Sequence, residues 1–436
     1  MSAATKAAAG RPDVLLEVSH DLPLVSLTVA TRNGGMFDPP GKEGLTRLCA
    51  RLMRRTGGGR DPQELDTRVD SIGASVGADV AQSVTLFQGT VIRRSLDAFV
   101  EIACDIIGRP GLAEAEFERL RREVLAELVE SLDDDRGLVR RWFRRKMFEG
   151  HPYGRPLSGT ATSLSAIGLD DVRERARALA ASEPVFAFSG DIERAEAEAL
   201  SDRVLGVFSD SKPLSDPTPE PTVAPGRRLV IVDKPERTQT QILIGGLGTQ
   251  AHDPDHTALL VGNTIFGGTF TARLTDEVRS KRGWSYGAYS SLPFDRRRQA
   301  FSMWTFPKAD DAAACIELEL GMLRALREKG VTKKELTAAK RYLTRSHAFA
   351  IDTASKRVGL ELEARLYDLP PGYHAEYTKR VAAVTLDEVN QALQARLPEK
   401  DLLIVVVGTA SEIRSAIEAK IPDLGSTEVV PHDAEA

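Results

Sequence analysis

Several things that would narrow the function at once are scarce or missing in this chain. It has three cysteines in 436 residues. Cys49, Cys104 and Cys315 lie far apart and are odd in number, so they are expected to be buried free thiols rather than a disulfide framework. No apolar run approaches the roughly 20 residues that a membrane helix needs. A basic excess is also lacking. The chain has 58 Lys and Arg against 63 Asp and Glu, a net charge of -5, so neither nucleic acid nor an anionic membrane is an expected partner. The start, Met1-Ser2-Ala3-Ala4-Thr5-Lys6, has no apolar core of a secretory signal. The expected compartment is therefore the cytoplasm, or the periplasm if a leader has been removed. What is present is ordinary: 42% hydrophobic and 28% charged residues, enough for two globular domains.

One linker stands out. Residues 209–226 are rich in Pro, Ser, Asp and Thr and show no apolar period, which marks a domain boundary. The expected domains are 12–208 and 227–430, and they read as repeats of one another. Each opens with an alternating strand, Leu24–Val29 or Thr240–Ile244. An Asp-Pro turn follows, at Asp38-Pro39 or Asp253-Pro254, and then an apolar helix. Each closes with a strand running into glycine, Val185–Gly190 or Leu403–Gly408. From Val25 to Gly190 is 165 residues and from Gln241 to Gly408 is 167. In the first repeat residues 83–90 read as a strand, and 94–107 and 114–131 as amphipathic helices. Blocks of strands and helices of this kind predict an α+β fold. Each of the two homologous domains should be a mainly antiparallel sheet with helices on one side, the pair related by pseudo-two-fold duplication.

The stretches Asp38–Leu45, Arg122–Leu128, His151-Pro152-Tyr153-Gly154, Ile265–Gly268 continuing to Arg273-Leu274, and Glu277–Tyr286 together resemble the pitrilysin/insulinase-type peptidases, the inverzincins, in their short two-domain bacterial form. The likeness runs from about residue 14 to 420. In that family an H-x-x-E-H helix supplies two zinc ligands and the base that activates water. The matching positions here are Arg47, Ala50 and Arg51. Two fixed cations and a methyl neither hold a dication nor act as a base. The family's third ligand, a glutamate some 75 residues further on, corresponds to Glu127, which without the histidines is an ordinary helix carboxylate free to pair with Arg47 or Arg51. The resemblance further implies that an arginine and a tyrosine seven residues apart reach the substrate near the zinc. Arg279 and Tyr286 match that pair. The alternative is that Arg279 caps a helix end and Tyr286 packs in a sheet.

Other features are blander. His252 and His256 are four apart, but Pro254 between them breaks a shared helical face, and Asp253 is expected as a helix N-cap. His151 reads as structural. In the run Arg140–Lys146 the aromatics Trp142 and Phe143 should face a core while the cations stay solvated. Gly57-Gly58-Gly59 lacks the lysine and hydroxyl of a phosphate loop.

The resemblance, with the zinc site erased and the Arg/Tyr pair kept, implies a non-catalytic subunit of a heterodimeric zinc peptidase. No cofactor or metal is expected in this chain, which alone should have no activity. Its partner would be a zinc-bearing homologous subunit, and Arg279 and Tyr286 would act in trans while the subunit helps to close the proteolytic chamber. The substrate would be an unfolded peptide, added as a strand at a sheet edge. The alternative is a catalytically inert scaffold or assembly protein of the same fold.

Overall fold

Two unbroken apolar runs set the architecture. Val185-Phe186-Ala187-Phe188 and Leu403-Ile404-Val405-Val406-Val407 are buried throughout, so each must sit inside a sheet with cover on both faces. A computed structural model describes residues 13–208 and 212–435 and bears this out. The first sheet contains β1 (Asp13–Val18), β2 (Leu24–Thr31), β3 (Ser75–Val80), β4 (Thr85–Ile92) and β5 (Pro184–Gly190), in the order β1-β5-β2-β4-β3. The second contains β6 (Arg227–Asp233), β7 (Gln241–Leu247), β8 (Ala288–Ser291), β9 (Ala300–Thr305), β10 (Leu403–Gly408) and β11 (Leu424–Pro431), in the order β11-β6-β10-β7-β9-β8.

The second sheet repeats the first with one added edge strand. In both, the repeat's first and last strands pair in parallel, β1 with β5 and β6 with β10, and the next three pairings are antiparallel. Val25 faces Gly190, and Gln241 faces Val407, so the two spacings read from the sequence mark equivalent strand pairs. The fold is α+β, with mixed sheets. The strand expected from residue 83 begins at Thr85, because Ser83 and Val84 belong to a hairpin turn closed by the Ala81 N–H donating to the Val84 carbonyl at 2.9 Å.

By contact the chain forms two units. One comprises the described residues of Met1–Leu128, Arg155–Pro217 and Ala348–His374; the other comprises those of Val129–Gly154, Thr218–His347 and Ala375–Ala436. In the first, Val25, Leu27, Val29, Phe186 and Phe188 enter the main helical core. On the opposite face Ala30, Val185 and Ala187 pack against Val358, Leu362 and Leu366 of the helix Ala354–Leu366. In the second unit Ile242, Ile244, Phe301 and Met303 enter the main core. The helix Asp135–Met147 lies across β7 and β10. Helices on one side therefore describe only the larger core of each unit; both apolar faces of β5 and β10 needed covering. Gly245 on β7 allows the close approach. A Cβ there would lie 2.9 Å from Phe143 Cζ and 2.1 Å from the Phe301 carbonyl oxygen.

Candidate functional site

The erased zinc position lies on the helix Leu45–Thr56, whose Leu45, Leu48, Cys49, Leu52 and Met53 form one buried face. Its start is pinned. The buried Asp38 carboxylate accepts from the Gly44 N–H at 3.0 Å and the Thr46 N–H at 2.9 Å, and from the Thr46 hydroxyl. Arg175 donates to Thr46 Oγ1 at 2.7 Å and to the Gly34 carbonyl at 3.0 Å. Burial pushes the Asp38 carboxyl up, with Thr46 and Arg175 opposing it. Gly44 has φ +92, and a Cβ there would meet Gly159 backbone at 2.9 Å.

On the outer side of this helix Arg51 meets Glu127. Its two guanidinium nitrogens donate to the two carboxylate oxygens, each at 2.7 Å. One turn along, Arg55 pairs with Glu123. The helices Leu45–Thr56 and Glu114–Glu130 thus carry a two-rung charge ladder. The Arg51 hydrogen bond holds the Glu127 carboxyl below its ordinary value, against partial burial, and Arg47 adds to the field. With Glu127 nearly half exposed, the pair is worth roughly 0.5–1 kcal/mol. Arg47 is exposed, whereas Ala50 is 1% exposed. The donor set does not fit zinc, because the retained carboxylate is fully engaged by a guanidinium. Among the described residues no group of three or more His, Cys, Asp or Glu side chains could hold a metal ion.

Arg279 and Tyr286 belong to the second unit. Arg279 lies in the π-helical stretch Asp276–Lys281, a wide turn that is rare outside functional or strained segments. Its guanidinium rests 4.2 Å from the centre of the Phe270 ring, which is itself 61% exposed. Tyr286 is 80% exposed, so it does not pack in the sheet. Arg282, by contrast, is committed: it donates to the Glu277 carboxylate and, at 3.0 Å, to its carbonyl, and lies over Trp284. Hydrogen bonds from Lys281 and Arg282 keep the Glu277 carboxyl low.

A groove near Tyr286 was not foreseen from the sequence. The helix Asp135–Met147 covers β7 and β10 but leaves the same face of β9 and β8 open. Leu243, Trp304 and Tyr289 line up there across three strands. The cavity is about 550 Å³ and is walled by Arg136 and Arg140 on one side, with Tyr286 among its lining residues. A signal for it existed. Phe301 and Met303 alternate inward, so Trp304 falls on the strand's other face, where a solvated strand would carry a polar residue.

The charged segments depart from their local sequence pattern in two places. Asp253 does not cap a helix: the next helix is His256–Phe266, with Asp255 preceding it. Asp253 instead accepts from the Thr249 hydroxyl at 2.7 Å and from Arg298. Burial opposes its charge, but the Arg298 and Thr249 hydrogen bonds win and bring it down to about 2. In the run Arg140–Lys146, Trp142 and Phe143 are buried as expected. Arg144 is not solvated, however. It donates to the Tyr153 carbonyl at 2.6 Å, and burial lowers its pKa. His151 is buried, with Nδ1 accepting from the Tyr153 N–H at 3.1 Å. The three cysteines are free and buried, and burial pushes the Cys49 thiol up to about 12.

The family model described as "Insulinase (Peptidase family M16)" matches residues 13–161, and that described as "Peptidase M16 inactive domain" matches residues 167–343. A Helicobacter pylori protein named as a non-peptidase homolog is 21% identical over 401 residues, 90% of this chain and 91% of the relative. An uncharacterized zinc protease of Streptomyces coelicolor is 24% identical over 407 residues, 91% of this chain and 88% of its own length. The crystal structure of a peptidase M16 inactive domain from Pseudomonas fluorescens superposes with a TM-score of 0.85 at 24% identity, covering 92% of this chain and 97% of that one. No helix among the described residues is long and apolar enough to cross a membrane.

Proposed function

We propose that this chain, which belongs to the M16 peptidase family, is the zinc-free subunit of a heterodimeric peptidase. It would present Arg279 and Tyr286 to a peptide held at the zinc of a homologous partner and help to close the proteolytic chamber. The observation that carries the reading is a contrast between the two places where the family does chemistry. The positions that would hold zinc are sealed by the bidentate Arg51–Glu127 pair. Tyr286 projects with 80% of its surface exposed, so its phenol is open to a ligand. A phenol so placed donates to the oxyanion that forms as the scissile carbonyl is attacked. The guanidinium of Arg279, supported on one face by Phe270, keeps its in-plane N–H groups for a carbonyl or carboxylate.

The test is turnover by the purified complex with a zinc-bearing homologue. Tyr286→Phe should lower it by about 100-fold to 1000-fold, the usual cost of one oxyanion donor, while co-purification stays unchanged. Wild-type turnover in that variant removes the trans-acting role. The alternative, an inert scaffold of the same fold, draws on one observation: Arg279 already has a stacking partner in Phe270.

A further inference from the structure

Beside Tyr286 the second sheet offers an aromatic floor with a cationic wall. Trp304 stacks on Tyr289 with ring centres 6.2 Å apart and planes 15° apart, and meets Phe306 at 4.9 Å. Its indole N–H donates to Gln241 Oε1 at 3.0 Å, which fixes the ring in the floor. The Arg136 guanidinium lies 3.9 Å above the centre of the Trp304 ring. Stacking occupies the flat face of a guanidinium and leaves its edge N–H groups pointing outward, the geometry that forks onto a carboxylate. Arg140 stands one helical turn away on the same wall. Among the described residues neither arginine has a carboxylate within ion-pair distance, whereas Arg51, Arg54, Arg55, Arg273 and Arg298 each have one. Burial and the neighbouring Arg136 both work against the Arg140 charge, with Asp134 alone favouring it. Both guanidinium groups are exposed on the same wall and carry like charge, an arrangement that favours an anion between them. At about 550 Å³ the groove falls within the roughly 300–1,000 Å³ range of small-ligand sites, room for a few side chains.

We propose that this groove is a peptide subsite selective for an acidic side chain flanked by an aromatic or large apolar one. The Asp or Glu carboxylate lies on Arg136 and Arg140, and the apolar neighbour lies on Trp304 and Tyr289. This deepens the peptide-handling reading given above and rests on it. It names the substrate class: extended segments in which an acidic residue adjoins a bulky apolar one. The groove is formed within one unit, so it can be tested on the intact chain without any partner, separately from turnover.

The experiment is fluorescence anisotropy of labelled twelve-residue peptides, acetylated and amidated, with the full chain. One peptide carries a central Glu-Phe, and a second replaces that Glu by Gln. A third has Gln-Phe with a free C-terminal carboxylate, and a fourth probe is a single-stranded oligonucleotide. The Glu-Phe peptide should bind about tenfold to a hundredfold tighter than its Gln-Phe isostere, the usual worth of a charge-assisted contact. Arg140→Glu should abolish that preference and favour a Lys-Phe peptide instead. Arg324→Glu, the same charge reversal at an exposed position of the helix Ala309–Lys329 outside the groove, should leave the Glu/Gln ratio unchanged. Equal affinity for the Glu and Gln peptides, including no binding of either, overturns the proposal. So does a ratio that survives Arg140→Glu, or stronger binding of the free-carboxylate peptide or the oligonucleotide.

Discussion

Replacing Glu319 by glutamine should flatten the fall in stability of the second unit as pH rises from 5.5 to 7.5. Glu319 sits on the helix Ala309–Lys329 with no exposure, beside Cys315, Ile316, Leu320 and Leu323 of the main core. Neither carboxyl oxygen has a hydrogen-bond partner among the described residues. Burial pushes its pKa from the ordinary 4.5 up to about 8. In the folded state the proton is therefore kept up to about pH 8, whereas the unfolded chain releases it above about 4.5. The folded state binds more protons across that window, so stability is full below pH 4.5 and falls as pH rises toward 8. At about 1.4 kcal/mol for each tenfold change, the whole window comes to about 5 kcal/mol, and the stretch from pH 5.5 to 7.5 to about 3 kcal/mol. The amide of Glu319→Gln is also buried without partners, but its cost is independent of pH. The readout is therefore the slope of the difference between variant and wild type, in which the other titrating groups cancel. All three tryptophans, Trp142, Trp284 and Trp304, belong to the same unit as Glu319, so urea unfolding followed by tryptophan emission reports on it. A difference that stays constant between pH 5.5 and 7.5 would refute the reasoning and show that the carboxyl ionises within the fold.

Arg47→His combined with Arg51→His should free Glu127 and give uptake of about one zinc per chain by elemental analysis, with no peptidase activity while Ala50 remains; a folded variant without zinc would show that Glu127 is not aimed at the helix. Gly245→Ala should destabilise by about 1–3 kcal/mol through overpacking against Phe143 and the Phe301 carbonyl; an unchanged melting temperature would contradict the tight approach of the helix Asp135–Met147. At acid pH, Asp253 and Glu335, both brought down to about 2, contribute stability that is present above about pH 4 and lost as pH falls through 2. Asp253→Asn, followed by acid unfolding, should weaken that dependence, and an unchanged acid limb would contradict the Arg298 pairing.

The sequence carried the fold best where patterning was forced. Alternation in Leu24–Val29 and the apolar runs at Val185 and Leu403 placed the central strands within a residue or two. Glu127 was singled out through the family resemblance, which left Arg47 and Arg51 both open as partners; the structure gives it to Arg51. What escaped depended on distant segments. Nothing local says that the helix Asp135–Met147 crosses β7, so Arg136 could not be brought over Trp304 by sequence alone. Asp253 was misplaced because its partner, Arg298, is 45 residues away, and a local capping pattern was the nearer explanation. Arg144 shows the same effect: in a run of five cations and two aromatics, only the Tyr153 carbonyl singles it out.

The crossed helices have a consequence for how the two halves of the gene product can be separated. Residues 135–147 cover the sheet built from the later half of the chain, and residues 354–366 cover the one built from the earlier half. A cut in the Pro-rich stretch after residue 212 leaves each fragment with its own sheet but with the wrong lid helix, and with one apolar face bare. Two such fragments are reciprocal donors, each incomplete until it borrows from the other, so the duplicated halves cannot drift apart as independent domains.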